Sequence, residues 1–156
     1  MDTIRTHAPA GSEPIEALDH ELRRLMWLEH KRLGQILAEH NLTVPQFYVL
    51  VNLTRRENGC PIGDLATNLS QSNATMTGII DRLEGERLVV RTRGGETDRR
   101  KVMVQVTPKG RSLLERAKNT RRESIRRALV RFPARDLETF VRLLNTYLIQ
   151  LEEEAK

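Results

Sequence analysis

Between Glu86 and Thr107 the apolar residues of this chain change their period from 3.6 to 2. Upstream, Met76, Ile79, Ile80 and Leu83 recur at three- and four-residue steps, which places them on one face of a helix running from Ser72 to about Glu86. Downstream, Leu88 to Thr92 reads as a strand, and the alternation of Val102, Val104 and Val106 makes Lys101 to Val106 a second. The polar loop from Arg93 to Arg100 carries Gly94 and Gly95 and closes the two strands into a hairpin. Thr107 then caps another helix, with Pro108 at its first position.

The rest of the chain is helical by the same test. Leu18, Leu22, Leu25, Met26, Leu33, Ile36 and Leu37 place a helix over Ile15 to His40, and Asn41 stops it. Thr43, three residues before Gln46, is a capping box for a second helix, with Pro45 tolerated in its first turn. Phe47, Leu50, Val51 and Leu53 line that helix, and Asn58-Gly59 ends it. Pro61 opens a short third helix, Ser70-Gln71 makes a turn, and Ser72 is the N-cap of the fourth. The helix after Thr107 runs to about Arg131, Pro133 breaks it, and Ala134 to Glu154 is the last. The expected organisation is a loose arm over 1–14, a first helix over 15–42, a compact lobe over 43–106 with its hairpin at about 88–106, and two terminal helices over 107–156.

Composition narrows the partner. The chain of 156 residues has a net charge of +5, which favours a polyanion. A single cysteine, Cys60, cannot form an internal disulfide. No apolar run approaches the roughly 18 residues that span a bilayer, and Met1 to Pro14 lacks the apolar core of a secretory signal. The expected compartment is the cytoplasm, with no membrane partner. A catalytic role is not expected: there is no glycine-rich phosphate loop and no Ser-His-Asp or Cys-His arrangement. His7, His20, His30 and His40 show no metal-ligand spacing with Cys60, so neither metal nor cofactor is expected.

Two short helices, a tight turn, a helix with a polar face and a hairpin form a winged helix-turn-helix. The fold class is therefore mainly α with a small β hairpin wing. With its apolar stripe inward, the helix from Ser72 turns Ala74, Thr75, Thr77, Gly78, Asp81 and Arg82 outward. Ser72 and Asn73 sit at its N-terminus, where the dipole and free N–H groups favour a phosphate. Thr and Asn can bond base edges, and Thr and Ala methyls can pack on a thymine methyl. Arg82 suits a phosphate, a contact that positions without reading sequence. At the hairpin tip, Arg93, Arg99 and Arg100 surround two glycines, and a narrow minor groove attracts an inserted Arg. Asp98 can pair with one of these arginines and leave another to reach out. A protein-interaction module that uses the winged fold without DNA is the competing reading; the arginine tip and the small polar face argue against it.

These stretches resemble the MarR family from about Leu18 to Leu151. LTVPQFYVL is similar to its second-helix opening, IGDLATNLSQSNATMTGIIDRLEGERLVVR to its helix-turn-helix and first wing strand, and DRRKVMVQVTPKG to its wing return. The resemblance implies a transcription regulator, a repressor released by a small-molecule effector. It further implies a homodimer built by the first, fifth and sixth helices, with recognition helices in successive major grooves of double-stranded DNA. It places Asn73, Thr75, Thr77 and Gly78 at base-facing positions, Ser72 and Arg82 at phosphate positions, Asp98 and Arg100 in a wing ion pair, and Arg99 nearest the groove. Gly78 departs from the family, where a larger polar or basic residue is frequent, so shape readout gains weight there.

The dimer also has a case from the residues alone. The last helix carries Leu137, Phe140, Val141, Leu144, Tyr147, Leu148 and Leu151 on one stripe, more apolar surface than the first and fifth helices can cover. Twofold symmetry fits an inverted-repeat site. Arg121, Arg122, Arg126, Arg127 and Arg131 read as a solvated face with pairs to Glu123 and its neighbours. Family members often bind a small aromatic or phenolic molecule; Trp27, His30, Lys31, Phe47 and Tyr48 are the candidates by position, with packing of the core and its rim as the competing reading. Cys60 lies away from the start of the first helix, where peroxide sensors of the family carry their reactive cysteine.

Overall fold

The computed structural model describes residues 13–56, 58–93 and 102–154, with the backbone alone at Arg93. The described chain runs α1 (Pro14–Ala38), α2 (Val44–Thr54), β1 (Cys60–Pro61), α3 (Ile62–Asn68), α4 (Asn73–Gly85), β2 (Val89–Arg93), β3 (Val102–Val106), α5 (Pro108–Ala128) and α6 (Ala134–Glu154). It divides into two compact units, Met1–Lys118 and Asn119–Lys156.

In the first unit, local chemistry sets most boundaries. The capping box closes α2: Thr43 N–H donates to Gln46 Oε1 at 2.8 Å and Gln46 N–H to Thr43 Oγ at 3.4 Å. Ser72 caps α4 by accepting from Thr75 N–H at 3.1 Å. Three helices end in one way, with a left-handed residue that is not glycine. Asn41 (φ 54°) follows α1, Ser70 (φ 51°) follows α3 and Arg87 (φ 60°) follows α4. Each time the next N–H reaches back across the turn: Leu42 to Leu37 O at 2.9 Å, Gln71 to Ala66 O and Leu88 to Leu83 O at 2.8 Å. These bonds satisfy carbonyls that the helix end leaves without partners.

The wing is one strand richer than the expected hairpin. The sheet is antiparallel with order β1-β3-β2, and β1 pairs Cys60 with Val104 and Pro61 with Met103. Pro61 therefore ends a strand and serves as the N-cap of α3 rather than the first residue of that helix. A two-residue strand containing proline has no periodic signature, so the alternation test passes over it. Gly59 makes the pairing possible. It adopts φ 79°, and a Cβ there would lie 2.7 Å from Val104 O.

The core lies between these elements. Leu33 and Leu37 of α1, Phe47, Val49, Leu50 and Leu53 of α2, Leu65 of α3, Met76, Ile80 and Leu83 of α4, Val89, Val104 and Val106 of the sheet, and Leu114 and Ala117 of α5 form one buried cluster.

The second unit holds the end of α5 and all of α6. Helix α5 ends at Ala128, three residues before the expected Arg131, and the turn at 129–132 closes with a Phe132 N–H bond to Leu129 O at 2.9 Å. Arg126 pairs with Glu123 and Arg122 donates to Asn119 at 2.8 Å, so these two members of the arginine run do serve intrahelical contacts. In α6 no residue is buried. Phe140, Val141, Leu148 and Leu151 all remain exposed.

Candidate nucleic-acid interface

Met76, Ile79, Ile80 and Leu83 anchor α4 in the core. A helix held by that stripe must show its other face, and Ser72, Asn73, Ala74, Thr75, Thr77, Gly78, Asp81 and Arg82 are all exposed. The hydroxyls of this face are partly engaged. The Ser72 and Thr75 side chains lie 2.8 Å apart, and Thr77 donates to Asn73 O at 2.9 Å. Thr77 thus keeps its lone pairs and its methyl for a partner, while its proton is used within the helix. Gly78 has open space where a Cβ would stand, so the backbone itself is the surface there.

Two sets of contacts hold α4 against its neighbours, and periodicity revealed neither. One is built on Arg91 in the middle of β2. Its Nη2 lies 2.5 Å from Asp81 Oδ1, its Nη1 pairs with Glu84 Oε2, and its backbone N–H donates to Glu84 Oε1 at 3.1 Å. The hydrogen bond to Asp81 is the main cause that raises the Arg91 pKa; burial opposes it and Glu84 adds to it. The other set gathers the turn after α4 onto the start of α5. Thr107 Oγ donates to Arg87 O at 2.8 Å or Leu88 O at 3.1 Å and accepts from Gly110 N–H at 3.1 Å, while Lys109 Nζ donates to Glu86 O at 2.8 Å. Gly110 packs so closely that a Cβ would fall 2.1 Å from Leu88 O. The Thr-Pro-Lys-Gly run was legible as a helix cap; its grip on the α4 turn required the structure.

The expected wing-tip residues Asp98, Arg99 and Arg100 lie outside the described residues, as do 1–12 of the arm. Arg93 ends β2, and its side chain is likewise outside them.

The five candidate ligand residues separate. A cleft of about 290 Å³ in the first unit is lined by His30 of α1, Val44, Pro45, Tyr48 and Val49 of α2, Leu69 and Gln71 of the turn, and Met76 and Ile79 of α4. His30 and Tyr48 meet there. Phe47 does not: it is 3% exposed within the core and touches Tyr48 edge to face at 5.6 Å. A helical step of about 100° turns the Phe47 ring into the core while Tyr48 faces the cleft. Trp27 and Lys31 do not line the cleft either. Lys31 Nζ sits 5.2 Å from the Trp27 ring, a cation–π pair along α1. Cys60 is fully buried in β1, and burial pushes its thiol pKa up, away from the reactive thiolate.

Among the described residues no helix is long and apolar enough to cross a membrane, and no His, Cys, Asp and Glu side chains gather into a metal-binding group.

A helix-turn-helix whose second helix shows a small polar face, flanked by the arms of an antiparallel wing, defines a winged-helix protein. The MarR family model matches residues 42–102. Among curated relatives, the HTH-type transcriptional regulator TtmR of Methylorubrum extorquens is 32% identical over 66% of this chain, which spans 54% of TtmR's own length. The homoprotocatechuate degradative operon repressor of Escherichia coli is 28% identical over 72% of this chain and 75% of its own. Among solved structures, the transcriptional repressor CouR bound to a 23-mer DNA duplex is 30% identical, with a TM-score of 0.70 over 90% of this chain and 99% of that one. CouR from Rhodococcus jostii RHA1 bound to p-coumaroyl-CoA aligns at 25% identity and a TM-score of 0.67, over 90% and 95%. The chain belongs to the MarR family.

Proposed function

We propose that the protein is a homodimeric repressor that binds an inverted-repeat operator and is released by a small aromatic ligand. The observation that carries this reading is the outward face of α4. It is small, polar and exposed, with a glycine at its centre and a helix N-terminus at one end. That face suits the floor of a major groove. A relative with 30% identity over nearly its whole length is solved on duplex DNA, which supports the same use here. Asn73, Ala74, Thr75, Thr77 and Gly78 face the bases, and Ser72 and Arg82 hold phosphates. Arg93, Arg99 and Arg100 of the wing enter the flanking minor groove, with Asp98 pairing Arg100.

The dimer rests on α6. A stripe with no buried residue needs a partner, and a second copy supplies an identical one. Two α4 helices related by a twofold axis then meet half-sites about 34–36 Å apart.

The ligand reading rests on the cleft. Its volume suits one aromatic ring with a short substituent, near the low end of small-molecule sites. His30, Tyr48 and Gln71 offer hydrogen bonds to a phenol, and the remaining walls are apolar. Met76 and Ile79 belong to the face by which α4 is anchored, so a ligand wedged against them shifts α4 from its DNA-binding position.

The test is an electrophoretic shift with duplexes selected from a random pool, repeated across salt. Affinity for the selected duplex should fall by more than about tenfold between 50 and 200 mM salt, because phosphate contacts release counterions. Absence of duplex binding at low salt would leave the protein-interaction reading in its place.

A further inference from the structure

We infer that Arg91 is a positioning residue for DNA binding, which fastens the wing to the recognition helix and masks two carboxylates that α4 would otherwise present to phosphates. The inference rests on the reading of α4 as the DNA-facing helix.

The register of the sheet locates the residue. Arg91 stands directly opposite Val104, and Val89, two residues earlier, stands opposite Val106. Residues at these positions share a sheet face. Val89, Val104 and Val106 are buried, so Arg91 occupies the inner face of β2, where continued alternation would place another apolar residue. Its guanidinium instead meets the last two turns of α4. Asp81 follows Thr77 by four residues and so lies one turn further along the exposed face. Its side chain is 58% exposed, and Glu84's is 37%. Left alone, both would add negative charge beside the residues that approach the DNA. Arg91 meets both with one side chain and engages the second Glu84 oxygen through its own backbone N–H. The planar fork of arginine gives each carboxylate its own nitrogen, Nη2 to Asp81 and Nη1 to Glu84, whereas lysine would have to share one nitrogen between them.

The same contacts fix an angle. β2 follows α4 through the left-handed turn at Arg87. A bond from mid-strand to the end of α4 sets the angle between β2 and the groove-facing helix. Sequence position alone gave no hint, since Arg91 lies among Val90, Thr92 and Arg93 and reads as one more basic residue of a basic wing.

The experiment uses the full chain and a duplex selected for wild-type binding. Arg91→Met keeps the aliphatic stem on the sheet and removes the charge. Arg91→Lys keeps the charge and loses the fork. Asp81→Asn with Glu84→Gln removes the two carboxylates, alone and in the Arg91→Met background. Arg91→Met should lose at least tenfold in affinity, with hydroxyl-radical protection lost at the flanking minor-groove positions and kept at the half-site centre. Arg91→Lys should lie between it and wild type. Neutralising Asp81 and Glu84 should restore part of the affinity of Arg91→Met without restoring the flanking protection. A merely structural role would lower the melting temperature and all protections together. Wild-type affinity and footprint in Arg91→Met, or a uniform loss that tracks stability, overturns the inference. Failure of the wild-type chain to bind any duplex overturns the recognition-helix reading beneath it, a distinct result.

Discussion

Gly78 is the residue at which stability and binding should separate. A glycine inside a helix costs about 0.5–1 kcal/mol relative to alanine, and nothing in the fold requires one here: a Cβ at Gly78 meets no atom within 4 Å. Its presence makes sense if another surface comes close to the backbone. Gly78→Ala should therefore raise stability by roughly 0.5–1 kcal/mol, read as a higher denaturation midpoint. The same substitution should lower affinity for the selected operator at least fivefold, because the added methyl holds the helix off the groove. A more stable protein with unchanged operator affinity would remove Gly78 from the interface. Gly110 is the opposite case, since its missing Cβ is filled by Leu88 O within the fold itself. Sequence cannot tell these two glycines apart: each sits in a helical stretch, and only the neighbouring atoms differ.

Elements were legible where local chemistry set them and obscure where distant contacts did. Ser72 and the Thr43-Gln46 box announce the starts of α4 and α2, and both act as expected. β1 and the Thr107 clasp depend on partners about twenty or more residues away, beyond a periodicity window. Arg91 has its partners seven and ten residues upstream, but periodicity tracks apolar faces and passes over an ion pair between a strand and a helix. Periodicity placed Phe47 on the apolar line of α2 but could not say whether that line met the core or the cleft; the structure puts Phe47 in the core and Tyr48 at the cleft. The clasp gives the element-scale prediction. Thr107 caps α5 and bonds the carbonyls that follow α4, so Thr107→Ala should cost about 0.5–2 kcal/mol, the range of a lost cap. Thr107→Ser keeps the hydroxyl and should cost far less. Denaturant unfolding at one fixed protein concentration measures both, with an unchanged slope marking a change in stability alone. Equal losses for Ala and Ser would mean that the methyl, not the hydroxyl, matters.

At the scale of the whole molecule, the exposed stripe of α6 is a folding problem that one copy of the chain leaves unsolved. Val141, Leu144 and Leu148 lie at helical spacing on one line, and Val141 and Leu148 are 57% and 48% exposed. The stripe was legible from its period; that no residue of α6 would be buried was not, because periodicity identifies an apolar face without saying what covers it. If a second copy covers it, charges on that line must separate the copies, since an unpaired carboxylate at a buried apolar interface has no compensating partner. Val141→Asp with Leu148→Asp should give a monomer by sedimentation equilibrium while leaving the core of the first unit intact. Operator affinity should then fall by about 10²–10⁴, the advantage that two linked half-site contacts hold over one, while affinity for a single half-site changes little. A double variant that stays dimeric would place the interface elsewhere. A monomer that still binds the full operator as tightly as wild type would show that the second recognition helix adds nothing, and the twofold reading of the site would fall with it.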